Sequence, residues 1–219
     1  MLKLHGFNAS NYVNIVKFAL AEKGIDYEFV EHYPAQDEAT LAISPMGKMP
    51  VLETEHGFLT ETLVILDYLE HQGEGKALFP TDAFQQARVK QLMHMIEIYI
   101  ELPARRCYME MFFGGKVSDE TKAQVKETLP KGARALARIA DFQPWLAGDQ
   151  LTAADAMFLY SFDLASVLSR KMFGLDLFAE APGSAELLAR LNELDSAKNV
   201  AAERDIAMEK FLKYARGGK

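Results

Sequence analysis

The segment that decides the fold lies between residues 44 and 69 and reads SPMGKMPVLETEHGFLTETLVILDYL. Its pattern predicts a strand entered through Pro50, a hairpin, a second strand at residues 57–59, and a helix that polar residues open. This order places an extended backbone edge beside a helix N-terminus. A free edge offers N–H and C=O groups to a bound peptide, and a helix N-terminus attracts a carboxylate. The segment therefore predicts a site for a small anionic peptide.

Composition narrows the class of protein. The chain has 219 residues, of which 49% are hydrophobic, and this is ample for a packed core. Its net charge of −7 disfavours a nucleic-acid binder, which usually needs a basic face. No apolar run reaches the length of a membrane span, and the N-terminus lacks a signal-peptide layout. Cys107 is the single cysteine, so no internal disulfide can form and the cytoplasm is the expected compartment.

The residues before this segment predict a strand, a helix and a second strand. Apolar and polar residues alternate over residues 2–5, and apolar residues from Tyr12 onward follow helical spacing up to a stop at Gly24. A strand pattern begins at Tyr27, and residues 34–43 are expected to be irregular with one helical turn. Together with the hairpin and its helix, this predicts a βαβ unit followed by ββα. That order gives a four-stranded mixed sheet of the thioredoxin-like kind.

After a break at residues 73–82 the pattern becomes helical. Helices are predicted over residues 83–113, 119–139, 153–170, 184–194 and 201–214. We therefore predict two domains of different class, α/β and all-α. They are a thioredoxin-like domain over residues 1–76 and a C-terminal helical bundle over residues 84–219, joined by a linker over residues 77–83.

A capping box is predicted at the start of the helix near residue 153. Thr152 can cap the N–H of Asp155, and the Asp155 carboxylate can reach back to the N–H of Thr152. Such a cap contributes roughly 0.5–2 kcal/mol, which is enough to fix where a helix begins. We interpret this pair as a marker of the fold and not as a chemical group.

Three segments, residues 44–52, 58–69 and 146–155, resemble the cytosolic glutathione transferase family. The order of a thioredoxin-like domain and a helical domain matches that family across essentially the whole chain. The opening Gly-Phe-Asn-Ala-Ser-Asn-Tyr of residues 6–12 looks most like the serine-type classes, such as the plant tau class, in a chain of bacterial type. In those classes a catalytic serine usually precedes a proline, and this chain has Asn11 in the place of that proline.

The resemblance makes Ser10 the candidate for activating the thiol of glutathione. A free thiol has a pKa of about 8.5, and a hydroxyl donor beside the sulfur would lower it. The residue by itself predicts something plainer, because serine is a favoured N-cap for the helix that starts near Asn11. The Asn11 amide is the alternative donor to the sulfur.

The resemblance assigns the rest of the tripeptide to two further pairs. It implies that the Met49-Pro50 bond is cis and that the Met49 backbone meets the cysteinyl part, the alternative being a trans proline on an edge strand. It implies that Glu61 faces the α-ammonium of the γ-glutamyl end and that the Thr62 hydroxyl binds its α-carboxylate. The same two residues also fit an ordinary acidic first turn with a cap, which Thr60 could share.

Two residues are candidates for the glycyl carboxylate of glutathione. Lys48 lies where the family often has a cation, although a lone lysine is more often a solvated surface group. Gln36 stands where tau-like proteins carry a second lysine, and its amide would hydrogen-bond the same carboxylate. Glutathione would act as co-substrate. No metal site is expected, because the five histidines show no ligand spacing.

The resemblance implies an enzyme that conjugates glutathione to small hydrophobic electrophiles. Its implied partners are glutathione, the electrophile and a second copy of the chain, with no nucleic acid and no membrane. Two alternatives stay open: a non-catalytic binding or scaffold protein of the same fold, and a glutathione-dependent isomerase, dehalogenase or peroxidase.

Overall fold

The computed structural model describes residues 1–72 and 75–217, and the side chains of residues 209, 212 and 214–217 are not included. Residues 73 and 74, part of the predicted break, lie outside the described residues. The chain divides into two compact units, Met1–Leu78 with Asp195–Met208, and Phe79–Leu194 with Glu209–Lys219. The predicted domain limits at residues 76 and 84 stay a prediction.

The first unit is built on a mixed sheet. Its elements in chain order are β1 (Leu2–Gly6), α1 (Asn11–Lys23), β2 (Tyr27–Glu31), α2 (Glu38–Ile43), β3 (Val51–Thr54), β4 (Gly57–Leu59) and α3 (Thr62–Glu70). Within the described residues these strands form one four-stranded sheet in the order β2-β1-β3-β4. The β1–β2 pair is parallel, and the β1–β3 and β3–β4 pairs are antiparallel. The predicted thioredoxin-like arrangement is confirmed.

Helix α1 begins and ends where local chemistry predicts. Ser10 has an extended backbone and caps the N-terminus, and Gly24 ends the helix at φ 64°. The Gly24 N–H donates to the carbonyls of Leu20 and Ala21, and the Ile25 N–H also donates to the Leu20 carbonyl at 3.0 Å, which closes the last turn. Between these caps α1 presents Val13, Val16 and Leu20 to a core. That core also contains Leu4, Met49, Val51, Leu52, Ile65 and Leu69.

The second unit is helical. Its helices are α4 (Ala83–Ile96), α5 (Leu102–Arg105), α6 (Tyr108–Phe113), α7 (Asp119–Ala137), α8 (Ala153–Met157), α9 (Asp163–Phe173) and α10 (Ser184–Asn192). Two π-helical turns, Glu97–Glu101 and Phe158–Phe162, continue α4 and α8 without a break. None of the helices in the described ranges combines the length and the apolar character that crossing a membrane requires.

The prediction of a single helix over residues 83–113 is wrong between residues 97 and 107. The π-helical turn follows α4, and Arg106 and Cys107 separate α5 from α6. Pro103 explains part of the irregularity, because a proline has no N–H to donate to the carbonyl one turn earlier, at Tyr99. Helix α7 approaches that carbonyl closely at Gly132, where a Cβ would come within 2.4 Å of the Tyr99 oxygen.

The last helix, α11 (Asp195–Gly217), begins earlier than the predicted start at residue 201. Its portion Asp195–Met208 belongs to the first unit, where Ala197 and Val200 are buried. Two small apolar residues among polar ones are a weak helical signal, which is why the sequence pattern missed this start.

The predicted capping box at the start of α8 is confirmed. The Asp155 carboxylate accepts hydrogen bonds from the backbone N–H of Leu146 at 2.7 Å and of Thr152 at 2.8 Å. Asp155 is fully buried, and this burial raises its pKa to about 6, although the hydrogen bonds oppose the shift. The carboxylate thus joins the preceding loop to the first turn of a buried helix.

Candidate functional site

The predicted site residues all lie in or next to loops at one end of the sheet. β1 runs parallel to β2, and its His5 is paired with Val51 at the start of β3. Leu59 at the end of β4 is paired with Leu52 of β3. The ends of β1, β2 and β4 therefore lie at the same end of the sheet as the start of β3. The residues connected to this end are Ser10, Asn11, Gln36, Lys48, Met49, Pro50, Glu61 and Thr62.

Ser10 lies in a tight turn between β1 and α1. Its N–H donates to the Phe7 carbonyl at 3.0 Å, and its Oγ accepts from the Val13 N–H at a long 3.4 Å. The sequence left open whether Ser10 caps the helix or serves a thiol. Capping uses an acceptor position of the hydroxyl, whereas binding a thiolate uses its proton, so one hydroxyl can do both. Asn11 is the half-exposed first residue of α1.

The Met49-Pro50 peptide bond is cis, so this expectation is confirmed. Ser44, which is buried, organises the turn before it. Its Oγ donates to the Lys48 carbonyl at 2.7 Å and accepts from the Lys48 N–H at 3.0 Å. Met49 is buried in the core of the unit, whereas Lys48 is exposed. The turn therefore fixes the backbone of Lys48 while its ammonium stays in solvent.

Gln36 braces the same turn from the β2 side. Its Nε2 donates to the Met46 carbonyl at 3.1 Å, and the Ala35 N–H donates to the Gly47 carbonyl at 3.2 Å. Gly47 has φ 62°, and a Cβ there would come within 2.0 Å of the Ala35 oxygen. Only glycine fits this contact. The Gln36 amide keeps a second N–H for a ligand.

Glu61 and Thr62 form the start of α3. Glu61 is the N-cap at φ 65° and ψ 114°, and a positive φ is uncommon for any residue other than glycine. In the described structure its side chain makes no capping hydrogen bond to the helix, so Glu61 is not an ordinary cap. It is exposed, while Thr62 is buried. The first N–H groups of α3 thus keep their donor capacity for an anion, and strain of this kind is concentrated at ligand sites.

Two residues near the site were not identified from the sequence. Asn8 lies in the same loop as Ser10, and its Oδ1 accepts from the Lys17 ammonium at 2.8 Å. Lys17 occupies the buried face of α1, in phase with Val13 and Leu20. A lysine within an apolar stripe was the available signal, but helical lysines are usually solvated.

Comparison with known proteins places this geometry in a family. Residues 4–77 match the glutathione S-transferase N-terminal domain, and residues 104–204 match the glutathione S-transferase C-terminal domain. A glutathione S-transferase from Pseudomonas putida is 48% identical over the full length of both chains. The chain belongs to the glutathione S-transferase family.

Solved structures of glutathione S-transferases share the fold. Poplar glutathione transferase F1 superimposes with a TM-score of 0.78 at 21% identity, covering 94% of this chain and 99% of the other. A glutathione S-transferase from Methylobacillus flagellatus, solved with glutathione bound, gives a TM-score of 0.76 at 23% identity, covering 91% and 98%. At these identities the likeness concerns the fold alone.

Cys107, the single cysteine, belongs to the second unit, whereas the loop after β1 belongs to the first. It is fully buried at the start of α6, and burial raises the pKa of its thiol. A buried thiol with a raised pKa is a poor nucleophile, so Cys107 is a small core residue and not a reactive thiol.

Proposed function

We propose that this glutathione S-transferase binds glutathione at the end of the sheet described above and activates its thiol for conjugation to small hydrophobic electrophiles. One observation carries the proposal: Glu61 is held at a positive φ at the start of α3, at the same end of the sheet as Ser10 and the Met49-Pro50 turn. An arrangement of an extended edge and an uncapped helix start suits a peptide with a terminal carboxylate.

The γ-glutamyl end of glutathione is assigned to Glu61 and Thr62. Its α-carboxylate would accept hydrogen bonds from the first N–H groups of α3 and from the Thr62 hydroxyl, with the helix dipole adding to the attraction. Its α-ammonium would face the Glu61 carboxylate. The exposed Glu61 side chain is suited to this pairing because its backbone conformation keeps it out of the capping position.

The middle and the glycyl end are assigned to the turn before β3. The Met49 backbone would pair with the cysteinyl residue, extending the sheet by a short strand of ligand. Lys48 would attract the glycyl carboxylate from solvent, and the remaining N–H of Gln36 would donate to it. The hydrogen bonds of Ser44 hold this turn in one shape.

The chemical step is assigned to Ser10, with Asn11 as the alternative donor. The Ser10 O–H would donate to the sulfur and stabilise the thiolate, while the start of α1 adds a positive dipole end. The glutathione thiol releases its proton to solvent, and the thiolate lone pair then forms the carbon–sulfur bond as the leaving group of the electrophile departs with its electrons. Ser10 keeps its own proton throughout.

A second copy of the chain is the proposed protein partner. The exposed apolar side chains of the described residues include Phe58 and Val64 in the first unit and Ile98, Tyr99 and Leu102 in the second. Contiguous apolar surface marks protein–protein contacts, and we propose that these residues contribute to the contact with the second copy. The proposed cytoplasmic location depends on the single cysteine alone. Sedimentation at several concentrations would show whether a dimer forms.

The direct test uses the purified full chain. Calorimetry with glutathione should give saturable binding, and addition of an aryl halide should give a glutathione conjugate. If the chain binds glutathione but catalyses neither conjugation nor isomerisation, dehalogenation or peroxide reduction, the scaffold alternative is indicated. Binding with one of the other three reactions, but without conjugation, would retain the site and change the reaction. Absence of binding would contradict the proposal.

A further inference from the structure

Helix α1 carries a lysine in its buried face. Lys17 is 3% exposed, and its ammonium lies 4.4 Å from the centroid of the Phe29 ring. Burying a cation is costly unless charged and polar partners replace water. The ammonium has two such partners, the Asn8 Oδ1 and the Glu203 carboxylate. Lys17 therefore joins the loop after β1 to the helix α11.

The Asn8 end of this network leads to Ser10. The Asn14 amide donates to the Asn8 carbonyl at 3.0 Å, while Lys17 binds the Asn8 side chain at 2.8 Å. Asn8 is therefore held from two turns of α1. Ser10 follows it in the same tight turn, with its N–H bonded to the Phe7 carbonyl. A shift of Asn8 would move the Ser10 hydroxyl.

The Glu203 end comes from the portion of α11 that belongs to the first unit. This portion is also attached to α1 by the Ser196 hydroxyl, which donates to Glu22 at 2.6 Å. Burial, with a smaller contribution from the Glu203 charge, raises the pKa of Tyr27 to about 12. The Glu203 carboxylate thus lies over the same region of β2 and α1 as the Lys17 ammonium.

We propose that Lys17 is a positioning residue for Ser10, acting through Asn8, and that Glu203 of the last helix orients Lys17. The glutathione site is thereby completed by a segment more than half the chain away in sequence. This inference rests on the proposed function, since positioning Ser10 matters only if Ser10 serves the thiol.

Three substitutions test the network link by link. Lys17→Met keeps the length of the stem and removes the ammonium, Asn8→Ala removes the acceptor, and Glu203→Ala removes the half-exposed carboxylate. We expect the first two to lower kcat about tenfold, the value of one charge-assisted hydrogen bond, with KM for glutathione unchanged. For Glu203→Ala we expect a reduction of about threefold, as for a partly exposed ion pair. The double variant of Lys17 and Asn8 should be no slower than Lys17→Met.

The matched control is Ser196→Ala. It removes a different hydrogen bond between α1 and α11 and does not touch Asn8 or Lys17, so kcat should stay at the wild-type value. If it lowers kcat as much as Glu203→Ala, docking of the helix in general is responsible and the positioning role is wrong. If Lys17→Met fails to fold, Glu203→Ala and Asn8→Ala still decide the question.

A second measurement does not depend on activity. Amide hydrogen exchange at residues 9–14 should be faster in Asn8→Ala and Glu203→Ala than in the wild type, and unchanged in Ser196→Ala. Wild-type exchange rates in both variants would overturn the inference, even if the chain transfers glutathione. Absence of transfer by the wild type, with faster exchange in the variants, would instead overturn the proposed function and leave the loop network in place.

Discussion

The Ser10 Oγ accepts a hydrogen bond from the Val13 N–H at 3.4 Å, so the proposed thiol activator is also the N-cap of α1. The two roles use opposite sides of the same hydroxyl. They can be separated by experiment because a cap affects stability and a thiol donor affects the rate.

We expect Ser10→Ala to lower kcat by about tenfold to a hundredfold, while the Kd for glutathione changes little, because the donor acts on developing sulfur charge. Loss of the cap should also lower the free energy of unfolding by about 1 kcal/mol. Ser118→Ala is the matched control, because Ser118 caps α7 through the Thr121 N–H at 3.2 Å. That variant should lose similar stability and keep wild-type kcat. An unchanged kcat in Ser10→Ala would move the role to Asn11.

We expect Glu61→Gly to stabilise the protein and to weaken glutathione binding. Glycine adopts the observed φ of 65° without strain, whereas a residue with a side chain in such a sparsely populated region costs about 1–3 kcal/mol. Loss of the carboxylate removes the partner of the α-ammonium, so we expect Kd to rise about tenfold. Thermal unfolding and calorimetry measure the two effects on one sample. Tighter or equal binding would show that Glu61 does not contact the ligand.

The order of strands and helices in the first unit followed from local signals. Period-two alternation at residues 2–5, the stop at Gly24 and the proline before β3 each act over a few residues, so a single sequence displays them. The network of Lys17 and Glu203 could not be predicted, because it joins residues far apart in the chain. The break at Cys107 was missed for a related reason: apolar residues continue at helical spacing through it.

We expect Gly47→Ala to be much more damaging than Gly24→Ala. Both glycines have nearly the same φ, 62° and 64°, so an added Cβ imposes a similar backbone strain of about 1–2 kcal/mol. Among the described residues, no atom beyond the chain neighbours of Gly24 lies within 4 Å of that Cβ, whereas at Gly47 it would meet the Ala35 oxygen at 2.0 Å. Gly47→Ala should therefore lose about 3 kcal/mol or more and disturb the Lys48–Met49 backbone. Urea unfolding gives the stability, and glutathione calorimetry gives the effect on the site. Equal losses in the two variants would contradict the close approach.

Asp155 predicts a pH dependence of stability with an unusual sign. Burial raises the pKa of this carboxyl from its ordinary value of 3.8 to about 6, so the folded state holds the proton more tightly than the unfolded chain. The stability that Asp155 contributes is therefore greatest below about pH 4 and is lost as the pH rises through about 6. Relative to Asp155→Asn, the free energy of unfolding of the wild type should fall by up to about 3 kcal/mol between these two pH values. Denaturant unfolding at several pH values measures the difference.

Asp37 supplies the control with the opposite sign. It caps α2 by accepting from the Thr40 N–H at 2.9 Å, and this hydrogen bond holds its pKa below the usual value. Its contribution is present above the ordinary carboxyl pKa and is lost as the pH falls through the lowered one. As the pH rises, the free energy of unfolding of the wild type should therefore increase relative to that of Asp37→Asn and decrease relative to that of Asp155→Asn. If the differences in free energy of unfolding between the wild type and each of the two variants change in the same direction with pH, Asp155 is not desolvated in the way its burial implies.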